Sequence, residues 1–263
     1  MTFAEVLPSS VKVGAFTLIE MMVALVVLSI LLLFLGQVVT LTGQAIAVNS
    51  SQLDAAGQAR VFFDRLALDL SASPQRSDLG MSFTRNSEGV NASLQFYSGV
   101  KGLTGARQLS WVSYQISPTT YQLERTAGGT DYAGGTPVAF LPQALPTPNS
   151  TTYQVMASGI FRLELCYLLD TGFFSNSTSG SSGTDYSHVK GIVVGVAVID
   201  GRSAALLNTA QLRQFSQDFG NTTEGHDPET DWNTAIAQSG FAPGIPRPAV
   251  QNVSIFQHIF NVP

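Results

Sequence analysis

Charge is scarce in this chain: of 263 residues only 12% are Asp, Glu, Lys or Arg, and the net charge is -5. No cluster of Lys or Arg stands anywhere along it, so the cationic footprint that phosphate binding needs is missing, and nucleic acid is excluded as the main partner. Cysteine is nearly absent. Cys166 is the only one, which rules out an intrachain disulfide and leaves stability to an apolar core. Proline is absent from residue 9 to residue 73, so nothing in that stretch breaks a helix. The three histidines, His188, His226 and His258, lie far apart and in no metal-ligand spacing. No Ser or Cys nucleophile motif and no phosphate loop occurs. The chain therefore reads as non-enzymatic, with no cofactor.

Against this background one residue stands out. From Phe16 to about Leu41 the chain is almost wholly apolar, and Glu20 is its only charge; the next charged residue is Asp54. At 1.5 Å per residue the run is long enough to cross a hydrocarbon core of roughly 30 Å. An ionisable group inside such a span is costly unless it is partnered, which marks it as functional. An ordinary secretory signal places its apolar region before the cleavage site. Here the apolar run continues into a helix-forming segment. A plain signal anchor gives no reason for a carboxylate at position 20.

The order Gly14-Ala15-Phe16-Thr17-Leu18-Ile19-Glu20, followed by the apolar run, resembles the N-terminal processing and assembly signal of type IV pilins and type II secretion pseudopilins. The resemblance implies that a prepilin peptidase cuts after Ala15 and methylates the new amine of Phe16. Glu20 then becomes the fifth residue of the mature chain and serves assembly. The family more often has Gly before the cut; here Gly14 stands one residue earlier, and cutting there would make Glu20 the sixth. Loss of residues 1–15 removes Glu5 and Lys12, so the net charge is unchanged. The implied fold is pilin-like α+β, with one long N-terminal helix, apolar in its first half, packed on an antiparallel β domain. The implied partners are other pilin-like subunits, the peptidase and the inner membrane.

The expected organisation is a leader over 1–15, a membrane or filament-core helix over 16–43, and a periplasmic domain over 44–263. That domain divides into a helix over 44–72, a β-rich part over 90–200, and C-terminal helices with a closing strand over 203–263. In its second half the long helix has one apolar stripe, Leu53, Ala56, Ala59 (or Arg60), Phe63, Leu66, Ala67 and Leu70, at three- and four-residue steps. Arg65 and Asp69 are spaced as a surface pair, and Pro74 closes the helix. Strands are predicted at 93–97, 109–117 and 121–125, with the strongest at 159–168 and 191–199. Gly128-Gly129, Gly134-Gly135, Pro142 to Pro148 and Ser175 to Asp185 read as loops, with Phe173-Phe174 anchoring the last of these or meeting a partner. Ser203 is the expected cap of a helix whose apolar face is Leu206, Leu207, Ala210 and Phe215. Asp231 is the expected cap of a second, shorter helix. The run Val253 to Val262 reads as a strand, although its periodicity fits a helix nearly as well.

The body resembles the J-type minor pseudopilins in three places: the Arg65-to-Leu70 helix end, Tyr121-Gln122-Leu123-Glu124-Arg125, and Leu168-Leu169-Asp170-Thr171-Gly172. The tail from Ile199 resembles the pseudopilin-like cassette proteins of Verrucomicrobia, such as their protein C. The length and long loops point to a minor subunit, since major subunits of such filaments tend to be smaller. One acidic loop, Glu224-Gly225-His226-Asp227-Pro228-Glu229-Thr230-Asp231, alternates carboxylates. Glu224, Asp227, Glu229 and Asp231 are calcium candidates there, against the plainer reading of a solvated loop ahead of a helix.

Overall fold

A computed structural model describes residues 17–74, 81–85, 90–100, 109–129, 152–176 and 188–261. The loops expected at Gly134-Gly135 and Pro142 to Pro148, and most of Ser175 to Asp185, lie outside the described residues. The chain divides into two compact units, residues 1–48 and 49–263. The helix α1 (Leu18–Ser71) has 54 residues and belongs to both.

In the second unit α1 buries Ala55, Ala59, Phe62, Leu66 and Asp69, at alternating steps of four and three. Phe63, Ala67 and Leu70 flank this line. The expected stripe was therefore turned slightly about the helix axis, and Leu53, its expected first member, is 74% exposed. The reason is Asp69, which a count of apolar residues leaves out. Its carboxylate accepts from Tyr114 Oη at 2.6 Å and from Arg125 Nε at 2.8 Å. Arg65 Nη2 lies 3.2 Å from the other oxygen. What the spacing suggested as a surface pair is thus half of a buried junction that clamps the helix to the sheet.

Five strands follow as an antiparallel meander: β1 (Ser82–Arg85), β2 (Ala92–Ser98), β3 (Ser110–Ile116), β4 (Leu123–Gly129) and β5 (Gln154–Ala157). β4 corrects the loop expected at Gly128-Gly129. Gly128 is paired with Trp111 across the ladder. A β-carbon on Gly128 would lie 2.5 Å from the indole, so glycine here gives the Trp111 ring its space inside a strand.

A second sheet has the order β7-β6-β8-β9. Its strands are β6 (Ile160–Leu169), β7 (Phe174–Ser175), β8 (Val189–Ile199) and β9 (Val253–Asn261). β6 and β8 are buried on both faces, which explains their near-continuous apolar sequence. One face, with Leu163, Leu165, Val194 and Val196, shares a core with α1 and the first sheet. The opposite face carries a second core built with the C-terminal helices, in which Phe161, Phe215, Phe219, Trp232 and Phe241 gather. Phe161 stacks on Phe215 with centroids 5.0 Å apart, and Phe219 meets Trp232 edge-on at 5.6 Å.

The C-terminal helices are α2 (Gly201–Ala204), α3 (Thr209–Asp218), α4 (Pro228–Ala237) and α5 (Arg247–Gln251). Their caps differ from expectation. Asp200, not Ser203, caps α2 by accepting from the amides of Arg202 and Ser203. Asn208 caps α3 in a capping box with Gln211. The buried face of α3 is Phe215 and Ser216 with Leu212 beside them, while Leu206 is exposed in the turn before it. Asp227, not Asp231, caps α4, with Pro228 in its first turn. Gly195 on β8 lets that turn approach, since a β-carbon there would lie 2.5 Å from Pro228.

Candidate membrane and assembly segment

The first unit presents one chemical theme. Thr17 sits just before α1, and its hydroxyl and carbonyl both accept from the Glu20 amide, at 3.3 and 3.1 Å. Thr17 is thus the N-cap and Glu20 the third helical residue, the spacing of a capping box. A carboxylate in the first turn also suits the positive end of the helix dipole. Gly14, Ala15 and Phe16, the expected processing residues, lie outside the described residues.

From Leu18 to Gly43 the helix gives 26 residues long and apolar enough to cross a membrane, and none of that surface is buried within the chain. At 1.5 Å per residue the span is about 39 Å. Its hydroxyls are satisfied locally. Ser29 donates to Leu25 O, Thr40 to Gly36 O and Thr42 to Val38 O, each at 2.8 Å. They therefore need no water, which suits a segment placed in lipid or among apolar helices. Glu20 is the one charge on this span, and it too is exposed. It shares a shallow face with Val23, Ala24, Val27 and Leu31. Ala24, one turn on from Glu20, leaves the carboxylate approachable by a neighbouring group.

This geometry, a capped apolar helix with a single carboxylate in its first turn, has a counterpart among known families. Residues 12–36 match the family model of the prokaryotic N-terminal methylation motif. The match covers Gly14 to Glu20 and the apolar span as far as Gly36, and it supports a pilin or pseudopilin subunit, a class that is structural. A search of curated proteins finds no match. With one long N-terminal helix followed by antiparallel sheets, the α+β architecture is consistent with a pilin-like fold.

The calcium candidates sit elsewhere, at the start of α4. Glu224 accepts from the Asn176 amide at 3.0 Å. Asp227 accepts from Thr230 N at 2.9 Å and Thr230 Oγ1 at 3.0 Å. The Glu229 amide donates to Gln257 Oε1 at 3.0 Å. Asp231 accepts from Thr223 N and pairs with His226 Nδ1, both at 2.6 Å. Burial raises the Asp231 pKa, but these two bonds outweigh it and hold the group below the usual carboxylate value. Asp227 and Asp231 thus serve the cap and turn at the start of α4, and Glu224 ties this loop to Asn176. Among the described residues no group of three or more His, Cys, Asp or Glu is arranged to hold a metal. Cys166 is buried, and burial with the nearby charges of Asp227 and Glu164 pushes its pKa up to about 12, so it stays a protonated packing residue.

One feature escaped the sequence reading. Arg162 and Glu164 on β6 are both fully buried and bonded to each other at 2.6 Å. Arg162 also donates to the carbonyls of Val90 and Gly220 and to Asn221 Oδ1. Its guanidinium lies 5.4 Å from the centroid of Trp232. The signal was there: positions 162 and 164 share a face of a strand whose neighbours are otherwise apolar. Their role is structural, joining β6 to α4 and to the loop behind α3.

Proposed function

We propose that this chain is a minor pseudopilin, held in the inner membrane by α1 with residues 44–263 in the periplasm. It assembles through α1 into a type II secretion-like or type IV pilus-like filament. The observation that carries the reading is Glu20, a lone carboxylate in the first turn of an exposed apolar span inside the methylation motif. A prepilin peptidase cuts after Ala15, beside Gly14, and methylates Phe16. In the bilayer the span holds the subunit by apolar burial. In the filament the same surface packs against sister helices, so lipid contact is exchanged for protein contact. Glu20 then meets the methylated amine of a neighbouring subunit. Such a pair in a dry environment adds little net stability, and its role is to set which subunit docks where.

Cysteine crosslinking between anchors tests this. In a Cys166→Ser background, Leu28→Cys places a thiol near the Glu20 face. Co-expressed with the pilin-like subunits of the same system carrying matching cysteines, it gives mixed crosslinked pairs. If it crosslinks to none of them, the chain is a membrane-anchored extracytoplasmic binding module with no filament role.

A further inference from the structure

Charge is segregated along β8. Ile199, the last residue of β8, pairs with Val253, the first of β9. Asp200 caps α2 directly after it, and α5 ends just before β9, so both short helices stand at that end. Asn252 Nδ2 donates to Ser203 Oγ at 3.0 Å and ties them together. Their exposed charges are Arg202 and Arg247, and Arg213 follows, exposed, on α3. Asp200 is buried and used in the cap. Leu206, one turn on from Arg202, is 53% exposed, next to exposed Ala205. The opposite end of β8 is acidic. There Val189 pairs with Leu169, and Glu224 accepts from the Asn176 amide just after β7. Asp170 and Glu224 are exposed at that end, against one lysine, Lys190.

α1 meets the second unit at the basic end. Gln58 Oε1 accepts from the Gly159 amide at 2.7 Å, and the Gly159 carbonyl accepts from Ile199 N at 2.9 Å. Asp54, which accepts from Gln58 Nε2, is the acid that α1 brings there, and the three arginines outnumber it. Fifteen residues lead from Gly43, the last of the apolar span, to Gln58. Whatever their conformation, they reach at most about 50 Å. So short a tether holds the basic end near lipid at an effective concentration on the order of mM, where a contact too weak for a free protein suffices. We propose that this end of the second unit rests on an anionic lipid surface through Arg202, Arg247 and Leu206. The arginines meet headgroup phosphates, and Leu206 enters the boundary with the acyl chains. Charge selects this occupant. A chain of net charge -5 collects exposed arginines at the end nearest, along the chain, to its own apolar span. Each arginine near an anionic surface multiplies occupancy about fivefold. The same field repels the acidic end, so one orientation is favoured. The inference rests on the reading that α1 anchors the chain in a bilayer, and it adds what the second unit does there before assembly.

The full chain, with Cys166→Ser as background, is reconstituted in vesicles of phosphatidylcholine alone or mixed with phosphatidylglycerol. A fluorescent dye is placed on Ala205→Cys, or on Thr171→Cys at the acidic end, and a quencher is carried on the lipid chains. The dye at 205 is quenched in the mixed vesicles and not in phosphatidylcholine alone, and the dye at 171 is quenched in neither. Arg202→Gln lowers the quenching at 205 about fivefold, and adding Arg247→Gln lowers it further. Salt at about 1 M, where the screening length is roughly 3 Å, abolishes it. The tryptophan-fluorescence melt is unchanged, because both arginines are exposed. Equal quenching at 205 in the two kinds of vesicle, equal quenching at 205 and 171, or indifference to the Gln variants overturns the proposal. So does a dye at 205 that is shielded only when pilin-like subunits are added, which makes this end a protein interface. A chain that floats with neither vesicle sinks the anchor reading itself, and this proposal with it.

Discussion

Arg162→Met destabilises the folded domain by about 3–5 kcal/mol, the usual cost of removing one partner from a buried ion pair. The loss has two parts. Glu164, fully buried, loses its counter-charge. The carbonyls of Val90 and Gly220, which accept from the same guanidinium, lose their donor. For a domain of this size each kcal/mol moves the midpoint by roughly 2–4 °C, so the melt falls by roughly 6–20 °C. Tryptophan fluorescence reads the transition, since Trp232 lies fully buried against the pair. Glu164→Leu added to Arg162→Met recovers part of the loss, because an apolar pair of similar volume often replaces a buried ion pair at little cost. Recovery is incomplete, because the bonds that the guanidinium makes to the Val90 and Gly220 carbonyls are not replaced. A neutral Arg162→Met, or losses that simply add, would show that the junction is not a coupled pair.

Glu20→Ala produces the largest functional loss. Membrane insertion is unchanged or improved, since a charge leaves an apolar span. Thr17 still caps the helix through its own hydroxyl. What is lost is the partner for a neighbour's amine. Crosslinking of the Leu28→Cys chain to pilin-like subunits falls at least about tenfold, the factor that 1.4 kcal/mol gives. Glu20→Gln behaves like Glu20→Ala, because a neutral amide does not compensate a cation. Glu20→Asp keeps part of the crosslinking, since it keeps the charge but reaches less far. Unchanged crosslinking in Glu20→Ala leaves the residue as a peptidase signal alone.

The N-terminal segment was legible because its signals are local. A proline-free apolar run reads as a long helix whatever surrounds it, and a single carboxylate within it is visible by eye. The second half of α1 was readable as a helix but not in its rotation. Asp69 counts as polar in any apolar pattern, and only Tyr114 and Arg125, 45 and 56 residues away, make it a buried residue. Gly128 read as a loop for the same reason, since its justification is Trp111 on another strand. The caps were misplaced by three or four residues. Asp200 and Ser203, or Asp227 and Asp231, are equally good capping types, and reach to the second or third amide decides between them. Arg162 and Glu164 were hidden because a strand with alternating charge normally turns that face to water. Here α4 and the loop at Gly220 cover it.

The central claim is that the motif at residues 12–36 is used as a processing and assembly signal, and it is tested most directly at the mature N-terminus. The full chain is expressed in cells with an active prepilin peptidase, extracted from membranes, and read by intact mass and by N-terminal peptide sequencing. The predicted result is a chain that begins at Phe16, carries one methyl group on its amine and has lost residues 1–15. A chain that still begins at Met1 in those cells contradicts the account.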